Sequence, residues 1–453
     1  MLTAREKTVR ILRILIAVIL SLYFFTASIF VIQIGGRFPY QFLGVGAGVF
    51  VLVFYIVNRK FERTDWLLTL VFLSFILAAL SAEINQLPEA YRKLSRTSAL
   101  MAVPLYLVSG YLGARMKESV RLMDLLKLIL KFISLLQVLW ILLQYVMYHV
   151  FDIDINHVIF AEILHQEGLV SFYRETFYPA GFTWHGGSIA PLLVLAFVLF
   201  KNPIIRLIVL GESFLVGSST AIIGVLAALF LTILLGIIRR EYTIAKVRDF
   251  FQKKNIWKMV LGVLVVAALI ILFIRLNLWT VIKDRALYLF VRLKNTDFDG
   301  STQVHVRYFT GYPEIFRQST WTERILGYGN FSSGYPFQLY FGQYTWMETF
   351  VVECDFINII LSRGIVGFLV YYVFLGILAI KGLKKDSRYF VFTAAVMLQG
   401  AGYNVQWQYI FMTEILLYLS LQSGRNFFEE LVDPDGQENE KPLPVVLRRF
   451  SNL

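Results

Sequence analysis

Apolar runs of membrane-span length recur along this chain from near its start to beyond residue 410. A helix that crosses a bilayer takes roughly 20 mostly apolar residues. Twelve stretches read as candidate spans: 11–32, 41–57, 66–82, 98–114, 125–150, 188–200, 203–217, 221–238, 259–278, 365–380, 390–402 and 410–421. The last two also read as one broken helix. The expected class is therefore all-α, a polytopic integral membrane bundle of about twelve spans. Composition agrees, with 57% hydrophobic and 16% charged residues against about 25% charged in soluble chains. That excludes a soluble enzyme, a disordered chain and a fibrous protein.

Lysine and arginine collect in alternate connections, and cytoplasmic connections carry that excess. Arg5, Lys7, Arg10 and Arg13 precede or open the first span, which has no small-residue cleavage site and reads as a signal anchor. Arg59, Lys60 and Arg63 follow the second span, Arg115, Lys117 and Arg121 the fourth, and Lys381, Lys384 and Lys385 the tenth. Arg92, Lys93 and Arg96 run against the pattern. The balance places both termini in the cytoplasm and makes the net charge of +12 a matter of membrane orientation rather than nucleic-acid binding. Residues 1–424 form the membrane domain. The polar segment 425–453 reads as a solvated cytoplasmic tail.

Two outer connections, 151–187 and 280–362, are long for a compact bundle, and long connections are commonly functional. The second is dense in aromatic residues, including Tyr328, Phe337, Tyr340 and Trp346. It is expected to be ordered, with short helices on the membrane face. Its rings suit either an interfacial belt or a platform for sugars. All five histidines fall on the outer side, and none has the spacing of a zinc site. The single cysteine, Cys354, excludes an internal disulfide. Asp152 and Asp154 read as loop residues at the membrane edge. The glycines at 44, 46 and 48 lie inside a span and read as helix packing, not a dinucleotide loop. Glu212 is a charge within a span, read as either a buried structural hydrogen bond or a functional group. Lys127, Lys131 and Arg206 are expected to snorkel. Arginines on the outer side (Arg174, Arg307, Arg317, Arg324, Arg363) suit an anionic ligand, because a guanidinium binds phosphate through two parallel hydrogen bonds. Ordinary surface explains Arg317 and Arg324 well, and Arg307 less well.

Three stretches carry a family resemblance. The first is Gly181-Phe182-Thr183-Trp184-His185-Gly186-Gly187. The second runs from Leu215 through Gly217-Ser218-Ser219-Thr220 to Gly224. The third holds Ser301, Arg307, Gly327-Tyr328-Gly329, Asp355, Asn358 and Gly364 to Gly367. In this order they resemble the O-antigen ligase and polymerase superfamily, the Wzy-type proteins. They match its GF stretch, its SRTG turn, and its serine–arginine–GxG stretch followed by HN-x-YL and GxxG. The arginine of SRTG is absent, with Ser219 near its place. Ligases of the superfamily carry a histidine where this chain has Asp355, which favours polymerase over ligase.

The resemblance implies an inverting, metal-independent and cofactor-free glycosyltransferase on the outer face of a bacterial plasma membrane. Its partners would be undecaprenyl-pyrophosphate-linked glycans and membrane lipid, with a chain-length regulator and a flippase as protein partners. Asp355 is the expected base, with Glu353 and His305 next in line. Arg307 and Arg174 are the expected pyrophosphate ligands, and His185, Tyr328 and Trp346 the expected substrate contacts. A ligase, a lipid-linked oligosaccharide flippase and a non-catalytic assembly partner are the alternatives.

Overall fold

The computed structural model describes residues 3–29, 31–34, 37–59, 61, 66–118, 120–166, 171–173, 176–238, 300–342, 351–385, 387–403, 410 and 412–416, with scattered positions between 280 and 294. Arg174, Trp346, the span expected at 259–278 and the tail from 425 lie outside the described residues.

The chain is a helix bundle. Its first five helices are α1 (Ala4–Ala27), α2 (Pro39–Asn58), α3 (Trp66–Ile84), α4 (Glu89–Glu118) and α5 (Val120–Phe151). Next come α6 (Gly186–Leu199), α7 (Pro203–Leu215) and α8 (Ser219–Ile238). The described chain resumes as α9 (Gly300–Gln318), α10 (Trp321–Leu326) and α11 (Gly334–Phe341), then α12 (Asp355–Lys385) and α13 (Ser387–Gly400). Between α5 and α6 stand a π-helical turn, His157–Ile163, and a two-residue antiparallel pairing of Phe172–Tyr173 with Thr176–Phe177.

Among the described residues, seven helices are long and apolar enough to cross a membrane: α1, α2, α3, Glu89–Ala114 of α4, Leu125–Phe151 of α5, α8, and Asp355–Lys381 of α12. The stretches expected as spans six, seven and eleven form helices of 14, 13 and 14 residues. At about 1.5 Å per residue these fall short of a hydrocarbon core of about 30 Å. α6 shows why it is short yet wholly apolar. Every residue from Ile189 to Leu199 is buried, because α5, α7, α8 and α13 all pack on it. A helix apolar all round belongs in a core. Arg206 of α7 does not snorkel: its Nε donates to the carbonyls of Phe197 (3.1 Å) and Phe200 (2.8 Å). It thereby caps the C-terminus of α6, where cations are favoured. Lys131 is likewise buried within α5.

Two of the three glycines of α2 pack helices as expected. A Cβ at Gly48 would stand 2.4 Å from Pro104 Cβ of α4, and one at Gly44 would stand 3.2 Å from Tyr23 of α1. Gly46 faces open space. Arg92 and Arg96 are held in ion pairs with Glu83 and Glu89, so much of their local charge is balanced.

Helices α9 to α11 fill much of the connection expected as an outer loop. Phe309, Trp321 and Phe331 are exposed, while several of its other rings enter a second hydrophobic core. Tyr308, Tyr328 and Phe337 are buried there with Leu87, Cys354 and Leu361. This subdomain is fastened to α12 at a break in that helix. Gly364 has φ +66° and ψ −174°, a conformation close to the reach of glycine alone. At such a break, carbonyls of the preceding turn lose their partners further along the helix. The carbonyls of Leu361 and Ser362 instead accept from the amides of Tyr328 (2.7 Å) and Gly329 (3.0 Å). The approach is backbone to backbone: a Cβ at Gly364 would lie 2.2 Å from Ile325 O, and one at Gly327 2.3 Å from Ser362 O. Ser81 Oγ donates to the Gly327 carbonyl, and Asn330 Nδ2 to the Phe75 carbonyl at 2.7 Å. The GxG and GxxG stretches thus interlock, whereas the sequence pointed only to tight packing by GxxG.

Gly364→Ala is expected to destabilise the detergent-solubilised protein by more than about 2 kcal/mol, from strain in a backbone region essentially reserved for glycine plus loss of the docked backbone. Gly376, whose added Cβ would meet nothing within 4 Å, is the control. Thermal unfolding of both alanine variants checks this, and equal midpoints would contradict the interlock.

Candidate functional site

Polar residues inside α5 hold the first element of the site. Gln137 donates from Nε2 to the Ser28 carbonyl (2.7 Å), and its Oε1 accepts from the Phe182 amide (2.9 Å). Gln144 Oε1 accepts from the Gly181 amide (2.8 Å), and Asn156 Nδ2 donates to the Gly181 carbonyl (2.9 Å). Gly181 sits at φ +63°, and Trp140 stacks on Phe182 with centroids 4.5 Å apart. The 181–187 stretch is therefore pinned in an irregular path that its backbone could not hold unpaired in an apolar setting.

The path ends at His185, the N-cap of α6, whose Nδ1 accepts from the Gly187 amide at 3.0 Å. Gly186 rests on the turn between α7 and α8: a Cβ there would meet Val216 O at 1.9 Å. Gly217, at φ +70°, lies on the ring of Tyr178. The end of α13 closes the knot. Gln399 Nε2 donates to the carbonyls of Ala190 (3.1 Å) and Thr220 (3.3 Å), and Tyr403 Oη lies 2.7 Å from His185 Nε2.

The N-terminus of α12 meets the same knot. Cys354 Sγ faces the amides of Phe356 and Ile357 and lies 3.4 Å from the Ala401 carbonyl. It thereby takes the place of a capping side chain. Asp355, 1% exposed, points at α13, where a Cβ on Gly400 would come 2.7 Å from its Oδ2. Glu353 is exposed at the mouth. Tyr308 of α9 lies against the Glu353 backbone, and the His305 ring stands edge-on to Tyr308 at 5.8 Å. Beneath Asp355, Arg363 lies over the rings of Phe75 (4.3 Å) and Tyr371 (5.2 Å). Its Nη1 is buried without a hydrogen-bond partner, and Asp355 is among the charges it feels.

The expected residues therefore divide. His185 meets Tyr403 and Asp355 meets Gly400 at the end of α13, with Glu353 close enough for Tyr403 to feel its charge and His305 edge-on to Tyr308. Arg307 is exposed on α9, while Arg363 is the outer arginine turned inward. Arg324 Nη2 donates to the Arg317 carbonyl (2.6 Å), and its guanidinium lies over Phe316 and Trp321. Tyr328 is 1% exposed, with its hydroxyl 2.7 Å from Ser319 Oγ. Its hydroxyl is thus taken up inside the second core by Ser319. Asp154 accepts from the amides of Asn156 and His157 and so caps the π-helical turn. No group of three or more His, Cys, Asp or Glu among the described residues is placed to hold a metal ion. Sequence reasoning missed Tyr403 and Tyr308, which no motif marks. Comparison with protein-family models and with curated proteins gives no match.

A carboxylate, phenol donors and a recessed guanidinium in one partly desolvated region can take a proton from a hydroxyl and stabilise a departing anion. Burial lowers the His185 imidazole from 6.5 to about 4, so its neutral form is the one the fold accommodates. A base depressed on folding contributes stability that is complete above about pH 6.5 and lost as pH falls toward about 4. The wild-type unfolding midpoint is therefore expected to fall more steeply across that window than that of His185→Gln. Parallel pH profiles would contradict the neutral imidazole.

Proposed function

We propose that this chain is a bacterial inner-membrane glycosyltransferase that polymerises undecaprenyl-pyrophosphate-linked oligosaccharide repeat units on the outer face of the membrane. The product class is O-antigen, capsule or exopolysaccharide. One observation carries the reading. Two of the stretches that resemble the ligase and polymerase superfamily, 181–187 and 215–224, pack on each other, and residues 399–403 at the end of α13 touch both of them and the N-terminal end of α12, which carries part of the third. In the proposed topology both termini lie in the cytoplasm.

In this reading Asp355 takes the proton of the acceptor hydroxyl, and the oxygen attacks the anomeric carbon of the donor glycan. The pyrophosphate leaves toward Arg363, with Arg307 and Arg174 meeting it from the outer side. Glu353 and His305 are the next candidates for the base. The histidine associated with ligation is replaced by Asp355, so the ligase is the weaker reading.

A flippase is the second reading, favoured by one feature. Glu212 of α7 is 1% exposed, and neither carboxylate oxygen has a hydrogen-bond partner. Carboxyls buried in membrane bundles commonly mark ion or substrate paths.

The test is complementation of a strain lacking the gene, with lipid-linked glycans sized by electrophoresis and mass spectrometry. Wild type is expected to restore polymer. Asp355→Asn, at equal expression, is expected to leave single lipid-linked repeat units on the outer leaflet. Arg363→Lys is expected to lose most polymer, because an ammonium lacks the planar fork, and Arg324→Ala to retain it. Full-length polymer in the deletion strain would overturn the reading. Single units trapped on the inner leaflet would transfer it to the flippase.

A further inference from the structure

Tyr403 stands three residues beyond α13 and is tied to His185 across 218 positions of sequence. The direction of that bond follows from the other side of the ring. His185 Nδ1 accepts from the Gly187 amide, so it carries no proton. The imidazole is neutral, so its proton sits on Nε2. Nε2–H therefore donates to Tyr403 Oη at 2.7 Å. Ser188 Oγ lies 3.3 Å from the same Nε2. The phenol's own proton takes no part in the bond from Nε2–H and is left to donate elsewhere. Burial, then the charge of Glu353, push the phenol up from its ordinary value, so it stays a donor at any physiological pH.

The surroundings say where that donor aims. Gly187 leaves room for it: a Cβ there would stand 3.0 Å from Tyr403 Cζ and 2.9 Å from His185 Cε1. Gly400, three residues before Tyr403, faces Asp355 Oδ2. Tyr403 feels the charges of both Glu353 and Asp355. A tyrosine donor with carboxylates nearby suits a group that is acceptor and donor at once, which a sugar hydroxyl is.

We propose that Tyr403 binds one hydroxyl of the acceptor sugar, which accepts from Tyr403 and donates to Glu353, leaving the neighbouring reactive hydroxyl to Asp355. His185 is the positioning residue that orients the phenol. This rests on the glycosyltransferase reading above. The site would then require an acceptor sugar with a hydroxyl next to the one that reacts, and would reject the deoxy sugar, since the latter strands buried polar groups.

The experiment uses the full chain in nanodiscs and, as substrate, the lipid-linked oligosaccharide extracted from the deletion strain. Tyr403→Phe is expected to raise the half-saturating substrate concentration about tenfold while the maximal rate falls less than about threefold, the pattern of lost binding rather than lost chemistry. His185→Ala is expected to give the same shift. His185→Gln, which keeps one acceptor and one donor, should recover most of it. The double variant Tyr403→Phe/His185→Ala should shift no further than Tyr403→Phe alone, because the two act as one unit. Should Tyr403→Phe fail to insert, the two His185 variants read the same link. Unchanged half-saturation in Tyr403→Phe, or in His185→Ala, overturns the proposal while wild-type polymer leaves the general reading standing. A wild type that makes no polymer from this substrate overturns both.

Discussion

The break in α12 at Gly364 is the constraint on which the rest of the site depends. Interrupting a helix at membrane depth exposes carbonyls, each costing several kcal/mol if left unpaired in lipid. The amides of Tyr328 and Gly329 take two of them. The penalty for breaking the helix thus becomes the attachment point for α9 to α11. With the subdomain fixed there, Tyr308 reaches the Glu353 backbone, and the first turns of α12 lean on the end of α13. Arg363, one residue before the break, is turned inward onto Phe75 and Tyr371.

A second set of polar groups does the same for the irregular stretch before α6. Gln137, Gln144 and Asn156 are buried and would each cost free energy without partners. Each is spent on the backbone between Gly181 and Phe182. These side chains fix a path, and the path delivers His185 to Tyr403. The two constraints are independent of each other, one on α12 and one on α5 and the turn that follows it, and the candidate site lies between them.

Much of the bundle is legible in hydropathy, because a long apolar run between polar connections leaves a helix little choice. The run at 66–82 appears as Trp66–Ile84. The start of α12 was less readable. Its first turns hold Asp355, Asn358, Ser362 and Arg363, polar residues that an apolar window rejects, so the helix starts ten residues before the expected 365. α9 was hidden for the same reason: its apolar residues face a local core, while Arg307 and Arg317 face out. The runs at 188–200 and 203–217 are apolar because they are buried or half-buried in protein, and apolarity alone does not separate lipid from core. At the site, Asp355 and His185 were legible through resemblance. Tyr403 was not, since its partner lies 218 residues away and no local pattern encodes so distant a contact.

The central claim is that the stretch before α6 packs on the segment after α13, which in turn packs on the start of α12. Cross-linking tests it most directly. The single cysteine, Cys354, is replaced by alanine, and cysteines are placed at positions 185 and 403. A short bifunctional thiol reagent is applied to membranes, and the chain is then cut between the two positions. The account predicts that the fragments stay joined in the double-cysteine protein and separate in each single-cysteine protein. Fragments that separate in all three would contradict it.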